Sequence, residues 1–372
     1  FLKMSNFRLM LLSTAAAGLV AVAVSPASAQ EVEKSMSVSG HVNRALVMSD
    51  DGEATTMSQI DPTYVSGSRF RIKAAAKSES MTISATTELG VQANGSVDSQ
   101  ADATSRSLNL RHSYIAVSSS MGTLTVGHTS TAGAYYISNQ LSGTGNAGFY
   151  DGPLLGGQRL HVSNDTGTGG NNATTGTAVV SVGSVTDAFQ GGGSRKSNIK
   201  YSSPNFSGFS FAVGHSDDDH GSAGVNYSGD FDGTKVVWSA GIRSEGGTSA
   251  TDKEMGTSVA FALAGGINGS LAYSKRDLSS AAAAGLKDPD FWGASLGYTM
   301  GANGITAQYG VTSDLGANNN EATRMALVVQ HNLSDYGASV YAGISNTEYD
   351  TPSTATQYDD LTGGWVGIRL NF

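Results

Sequence analysis

Three cations stand at every second position of one short run. In "SRFRIKAAA" at 68–76, Arg69, Arg71 and Lys73 alternate with Phe70, Ile72 and Ala74. On an extended chain that spacing puts the charges on one face and the apolar groups on the other. Fixed cations in a row act by their field on whatever charged species passes them. They do not by themselves make a catalytic site, and no second set of residues supplies one. The seven histidines (His41, His112, His128, His161, His215, His220, His331) are scattered, with no His-Glu-x-x-His pair and no cysteine to complete a zinc site. A Ser–His–acid set of the kind used by outer-membrane phospholipases could be picked from so many serines, but composition alone guarantees such sets. "SDDDHG" at 216–221 is rich in carboxylates yet lacks the 1-3-5 ligand spacing and the distal glutamate of a calcium loop, so it reads as a solvated acidic loop. The tract "NDTGTGGNNATTGTA" at 164–178 has no nine-residue period and is not a calcium-binding repeat. No cofactor and no metal is implied.

The elements that must position these residues all read as strands. About sixteen runs alternate with period two at the length of tilted membrane strands: 36–48, 68–76, 81–91, 108–117, 122–128, 197–202, 208–215, 224–230, 235–243, 255–263, 269–276, 291–299, 304–311, 324–333, 338–345 and 363–372. In the first, Met36, Val38, Gly40 and Val42 oppose Ser37, Ser39, His41 and Asn43. In the third, Met81, Ile83, Ala85 and Leu89 oppose Thr82, Ser84, Thr86 and Glu88. Every second connection is tight ("AKSES", "SSSMG", "SPNFSG", "DFDG", "AGGIN", "MGANG", "SDYG"). The others (49–67, 92–106, 129–196, 216–223, 244–253, 277–290, 312–323, 346–362) are long and rich in Gly, Asp, Asn and Ser. That strict alternation predicts an up-and-down barrel with turns on the periplasmic side and loops outside. A soluble β-sandwich has no reason to confine long loops to every second connection.

Aromatic residues at Tyr114, Phe209, Phe211, Tyr227, Trp238, Phe261, Tyr273, Trp292, Tyr298 and Tyr309 fall on or near the apolar phase, several at strand ends, where interfacial girdles sit. The last residues, "GGWVGIRLNF", place Val366, Ile368, Leu370 and Phe372 on one face and Gly367, Arg369 and Asn371 on the other. An open edge in hydrocarbon would leave backbone groups unpaired at several kcal/mol each, so the last strand is expected to pair with the first and close the sheet. The fold class is therefore all-β: a closed antiparallel transmembrane barrel, residues 30–372.

The N-terminal segment names a compartment. Arg8, the apolar stretch "LMLLSTAAAGLVAVAV" at 9–24 and the triplet Ala27-Ser28-Ala29 form a secretory signal, residues 1–29, with cleavage after Ala29. Its apolar run is too short and too plainly followed by a cleavage site for a membrane anchor, and no other stretch approaches the ~20 apolar residues of a spanning helix. The formal charge of −9 becomes −11 once Lys3 and Arg8 are removed, which argues against nucleic acid or an anionic surface as partner. The composition, with 48 Gly, 6 Pro, no Cys and 14% charged residues, shows no linker and no break that would mark a second domain.

The chain also resembles the trimeric general porins of Gram-negative outer membranes. The resemblance is carried by "GHVNRALVMSDDG" at 40–52, "LRHSYIAVSSSMGTLTVGH" at 110–128, "SNIKYSSPNFSGFSFAVG" at 197–214 and "GIRLNF" at the end. It implies a passive diffusion channel for small hydrophilic solutes and ions in the outer membrane, assembled as a homotrimer. It implies that the third loop, 129–196, folds into the barrel and narrows the pore, with its carboxylates facing basic groups on the wall. Arg111 matches the family's wall arginine, Arg69, Arg71 and Lys73 join it from the neighbouring strand, and Asp151 in "GFYDGPLLGG" is the candidate facing acid. The loop departs from the pattern in holding only Asp151, Asp165 and Asp187. Phe372 matches the residue that the barrel-assembly machinery reads. Apart from the resemblance, the acidic outer loops as a group (Asp50, Asp51, Asp217, Asp218, Asp219, Asp359, Asp360) are a candidate for divalent ions bridging to lipopolysaccharide, a point the sequence leaves open. The readings set against a general channel are a solute-specific channel, a barrel lipase, and an adhesin or phage receptor.

Overall fold

The computed structural model describes residues 31–52, 55–92, 107–151, 154–160, 180–189, 195–217, 220–245, 249–280, 282, 285–353 and 357–372. The leader with Ala29, the tract 164–178 and Asp165, Asp218 and Asp219 lie outside the described residues.

The strands are β1 (Glu33–Asp50), β2 (Thr55–Ile60), β3 (Arg69–Lys77), β4 (Met81–Gln92), β5 (Ser107–Ser119), β6 (Gly122–Ser130), β7 (Arg159–Leu160), β8 (Val180–Ser181), β9 (Arg195–Ser202), β10 (Phe209–Ser216), β11 (His220–Phe231), β12 (Thr234–Ser244), β13 (Thr251–Ala262), β14 (Ile267–Leu278), β15 (Asp290–Met300), β16 (Asn303–Ser313), β17 (Glu321–Leu333), β18 (Ala338–Asp350) and β19 (Leu361–Asn371). All but the β7–β8 pair form one antiparallel sheet that closes on itself through β1 and β19, with His41 opposite Asn371 and Asp50 opposite Thr362. Gly40 and Phe372 exchange both backbone hydrogen bonds, at 2.9 and 3.1 Å, so the final residue belongs to the seam.

The barrel has sixteen staves, and every run expected from the alternation coincides with one. The second stave is in two pieces, which the sequence did not suggest. β2 pairs with the upper half of β1 and β3 with its lower half, while Asp61–Ser68 leave the sheet through one helical turn at Thr63–Ser66. Side chains fill the gap in the ladder: Ser68 Oγ accepts from the Asn43 N–H at 3.0 Å, and Asn43 Nδ2 donates to the Ser66 carbonyl at 2.9 Å. These bonds satisfy the backbone groups that a missing strand would orphan. Residues 55–60, placed in a loop by their polar composition, alternate in register with β1.

Pairing fixes which face is which. Val42, Leu46 and Met48 of β1, Met325, Leu327 and Val329 of β17, and Val366, Ile368 and Leu370 of β19 are exposed on the outside. Asn43, Ser49, Ser258, Ser274, Thr306 and Gln308 are buried on the inside. An apolar exterior around a polar interior is the inverse of a soluble protein and matches a hydrocarbon surround. The tight turns carry their own chemistry. Asp232 and Gly233, with φ of 52° and 84°, form the two-residue connection from β11 to β12, the primed geometry that suits right-twisted strands.

The apolar core lies within the barrel. The connection between β6 and β9 packs Ala147, Leu154, Leu155, Leu160, Val182 and Val185 against Ala45, Val47, Val328, Tyr341, Leu361 and Trp365, which belong to β1 and β17–β19. A second cluster joins Tyr136, Ile137, Tyr150, Ala188 and Phe189 to Ala272 and Phe291 of β14 and β15.

Candidate functional site: the charged interior

Arg69 and Arg71 stand on the inward phase of β3, opposite His41 and Ser39 of β1 and Gly90 and Glu88 of β4. Glu88 is fully buried at the centre of the group. Arg71 grips its Oε2 through Nε, at 2.8 Å, and through Nη2; Arg111 Nε donates to Oε1 at 2.7 Å; and Arg69 Nη1 lies 3.7 Å from Oε1. A buried carboxylate is costly unless its lone pairs are met by charged donors. Here Arg71 and Arg111 supply them and Arg69 adds its charge, while Arg71 keeps 46% of its side chain in solvent.

Arg111 reaches Glu88 because of a bulge. β4 and β5 pair regularly up to Glu88–His112, and the next pair is Leu89–Leu110, so Arg111 is an extra residue on β5. Bulges re-aim a side chain in this way. The same bulge reverses the phase of β5: Leu108 and Leu110 are exposed before it and Ile115 after it. Tyr114 is consequently opposite buried Thr86 and faces inward, stacked edge-on to His112, so it is not part of the outer aromatic girdle. Lys73 sits one row below Arg71, opposite Thr86 and Ser37, and makes no ion pair among the described residues.

Two more arginines join the group: Arg369, which the alternation of the last strand had put on the polar face without linking it to this group, and Arg195, which no pattern marked. Arg195 donates to the Tyr135 hydroxyl at 3.3 Å and lies within the field of Arg69 and Arg111. Arg369 donates to Asn146 Oδ1 at 2.7 Å and to Ser66 Oγ at 3.1 Å. Glu88 was visible only as one polar residue of its strand. The bare wall of β3–β6 and β9 also turns Lys196 and Lys200 inward, opposite Thr129 and Thr125 of β6.

The opposite wall is covered. Residues 131–151 hydrogen-bond in turn to Ser222, Ser239, Ser258, Thr306, Gln308, Arg324, Gln330, Ser339 and Trp365. On that side the acids are spent on partners. Asp151 is buried, accepts from Ser138 Oγ and lies within the field of the buried Arg324, next to Tyr150, which sits against Gly293 and Gly310 of β15 and β16. Asp187 takes Arg276 Nη2 at 2.7 Å, and Glu254 takes Arg276 Nε at 2.8 Å and Arg243 Nη2 at 3.2 Å. Among the described residues no three His, Asp or Glu are grouped to hold a metal ion.

The Gram-negative porin family matches residues 14–352. The chain belongs to that family. As a porin it is a diffusion channel of the outer membrane. A comparison with curated proteins finds no match. Among solved structures the porin resembles an anion-selective porin from Comamonas acidovorans at 18% identity and TM-score 0.62, covering 91% of this chain and 100% of that one. It resembles OmpT of Vibrio cholerae, an outer membrane protein in its trimer form, at 14% identity and TM-score 0.56, covering 91% and 99%. It also resembles the outer membrane channel DcaP of Acinetobacter baumannii at 12% identity and TM-score 0.55, covering 91% and 97%. At these identities the likeness is one of fold.

Proposed function

We propose that this porin passes small hydrophilic solutes and ions without a cofactor or energy source, and that it favours anions. The observation that carries the preference is the imbalance of the bare wall: Arg69, Arg71 and Arg111 meet the single carboxylate Glu88. Lys73 lies one row below and Arg195 and Arg369 lie alongside. Asp151 does not offset them in this reading, because its charge is answered by Ser138 and Arg324 on the far wall. Charged rings at a water-filled constriction decide which ions pass. The solved relative from Comamonas acidovorans carries the description anion-selective, which agrees with the reading.

The protein acts in this proposal as a homotrimer, consistent with the trimer form of the Vibrio cholerae relative. Residues 1–29 serve as its cleaved signal and Phe372 as its mark for the assembly machinery, and lipopolysaccharide surrounds its outer loops. The proposal gives it no catalytic role, and the geometry of the one Gly-x-Ser-x-Gly stretch supports that reading: "GASLG" at 293–297 runs straight along β15, with Ser295 Oγ bonded to Ser270 Oγ at 2.6 Å instead of standing on a strand-to-helix elbow. Single-channel recording in a planar bilayer under a salt gradient tests the proposal. The reversal potential has the sign of anion passage if it holds, and the sign of cation passage refutes it.

A further inference from the structure

Three rows of inward positions cross β11–β14 in register. The upper row is Ser222, Arg243, Glu254 and Arg276; the middle row is Gly224, Gly241, Gly256 and Ser274; the lower row is Asn226, Ser239, Ser258 and Ala272. The middle row is a gutter without side chains until Ser274, and the loop lies in it. A Cβ on Gly224 would stand 2.6 Å from the Ala132 carbonyl oxygen, one on Gly241 2.3 Å from Tyr136 Cδ1, and one on Gly256 2.5 Å from Tyr136 Cε2 and 2.7 Å from Ser274 Cβ and the Tyr273 carbonyl oxygen. Two strands further on, Gly293 and Gly310 are register partners, and a Cβ on Gly293 would stand 2.5 Å from Tyr150 Cδ2. None of Gly224, Gly241, Gly256, Gly293 and Gly310 has a positive φ, so their backbones would accept any residue. What they supply is room.

We infer that Gly241–Gly256 and Gly293–Gly310 are seats for two tyrosine pegs, Tyr136 and Tyr150, and that these seats set how far the loop stands off the wall and hence the width of the pore. The pegs are held from both sides. Ser258 Oγ donates to the Tyr136 carbonyl at 2.6 Å, and the Tyr136 hydroxyl donates to the Phe189 carbonyl at 2.9 Å. The Tyr150 hydroxyl donates to the Ile137 carbonyl at 2.9 Å, tying one peg to the segment that carries the other. Ordinary carbon contact is ~3.5 Å or more, so a methyl group in a seat displaces its ring by about 1 Å toward the lumen.

The inference rests on the channel reading but not on its ion preference, and its test separates the two. Single-channel conductance of Gly241→Ala and Gly256→Ala should fall below wild type, with the reversal potential keeping its sign. Tyr136→Ala should raise conductance, and adding it to Gly241→Ala, where the Tyr136 ring is the nearest group to the added carbon, should restore what the methyl group removed, a non-additive cycle. Gly265→Ala, at a turn position with nothing within 4 Å of the added carbon, is the control and should match wild type. Wild-type conductance in both seat variants, or strictly additive effects in the double variant, overturns the inference. If the seat variants do not insert, Tyr136→Ala alone still decides, because an unchanged conductance there would mean the peg does not set the width.

Discussion

The charge group at Glu88 permits a graded test. Three guanidiniums against one carboxylate leave +2 in the wild type. Glu88→Gln raises the group to +3, the double change Arg71→Gln with Arg111→Gln lowers it to 0, and the triple change lands at +1. A unit charge acts on a passing ion with about 1 kcal/mol at ~4 Å in water and about half that at ~8 Å. Because the charge favours an anion and disfavours a cation by the same amount, each step of one charge should move the anion-to-cation permeability ratio roughly five- to thirtyfold at low salt, and the ordering should be Glu88→Gln, wild type, triple variant, double variant. The assay is the reversal potential across a bilayer with a salt gradient centred near 0.1 M, repeated near 1 M. At 0.1 M the screening length is about 10 Å and at 1 M about 3 Å, so the differences should shrink with salt.

Stability and selectivity separate along the same series. The double variant leaves buried Glu88 with only Arg69, at 3.7 Å, and breaking a buried pair typically costs about 3–5 kcal/mol. The triple variant removes that stranded charge and should regain heat resistance while its selectivity lies between those of the double variant and the wild type. A reversal potential that is the same in all four proteins would show that these arginines do not border the ion path. One that follows stability instead of charge would show that the field argument is wrong.

Other expectations are simpler to read. Phe372→Ser, at the seam where the final residue pairs with Gly40, should reduce insertion far more than the ~1.5–3 kcal/mol of one lost side chain would suggest, and wild-type levels of surface-exposed protein would refute a recognition role. Trp365→Phe removes the Nε1 bond to the Ala147 carbonyl, 3.0 Å long and buried, at a cost of about 1–3 kcal/mol to the seating of the loop, so open-channel noise should rise; a trace as quiet as wild type counts against it. Lys73→Gln, one row away from the group, should shift selectivity less than either single arginine change, and an equal or larger shift would move the constriction toward the periplasm.

The staves were legible because a two-sided strand writes its environment into every second residue. Sixteen runs and the seam at Phe372 followed from that rule alone. The failures have physical causes of the same kind. Residues 55–60 are too short and polar to announce a strand, and they pair only because β1 runs on to Asp50 and offers them an edge. The bulge at Arg111 left a trace that was available: the exposed leucines at 108 and 110 and the exposed Ile115 fall on opposite parities, which one uninterrupted strand cannot do. The phase of Arg369 was legible but not its neighbours, and Arg195 left no trace, because their approach to Glu88's group depends on which staves become neighbours after closure. Asp151 was picked out by the length of its loop and its likeness to a family pattern, and loop length says nothing about which wall the loop will lie against.

That last point governs the sign of the pore. The whole chain is acidic at −9, and a field argument from net charge would predict a cation path. The loop changes the count by covering one wall and not the other. Over β11–β18 it covers charge, burying Arg324 and adding Asp187 to Arg276, while the wall's own Glu254 meets Arg243 and Arg276. Among the described residues it leaves β3–β6 and β9 uncovered, and there Glu88 meets an excess of arginine and lysine. In the proposed reading, ion preference follows from which charges the loop leaves in water, so a change that moved the loop across the lumen would reverse it without altering a single charged residue.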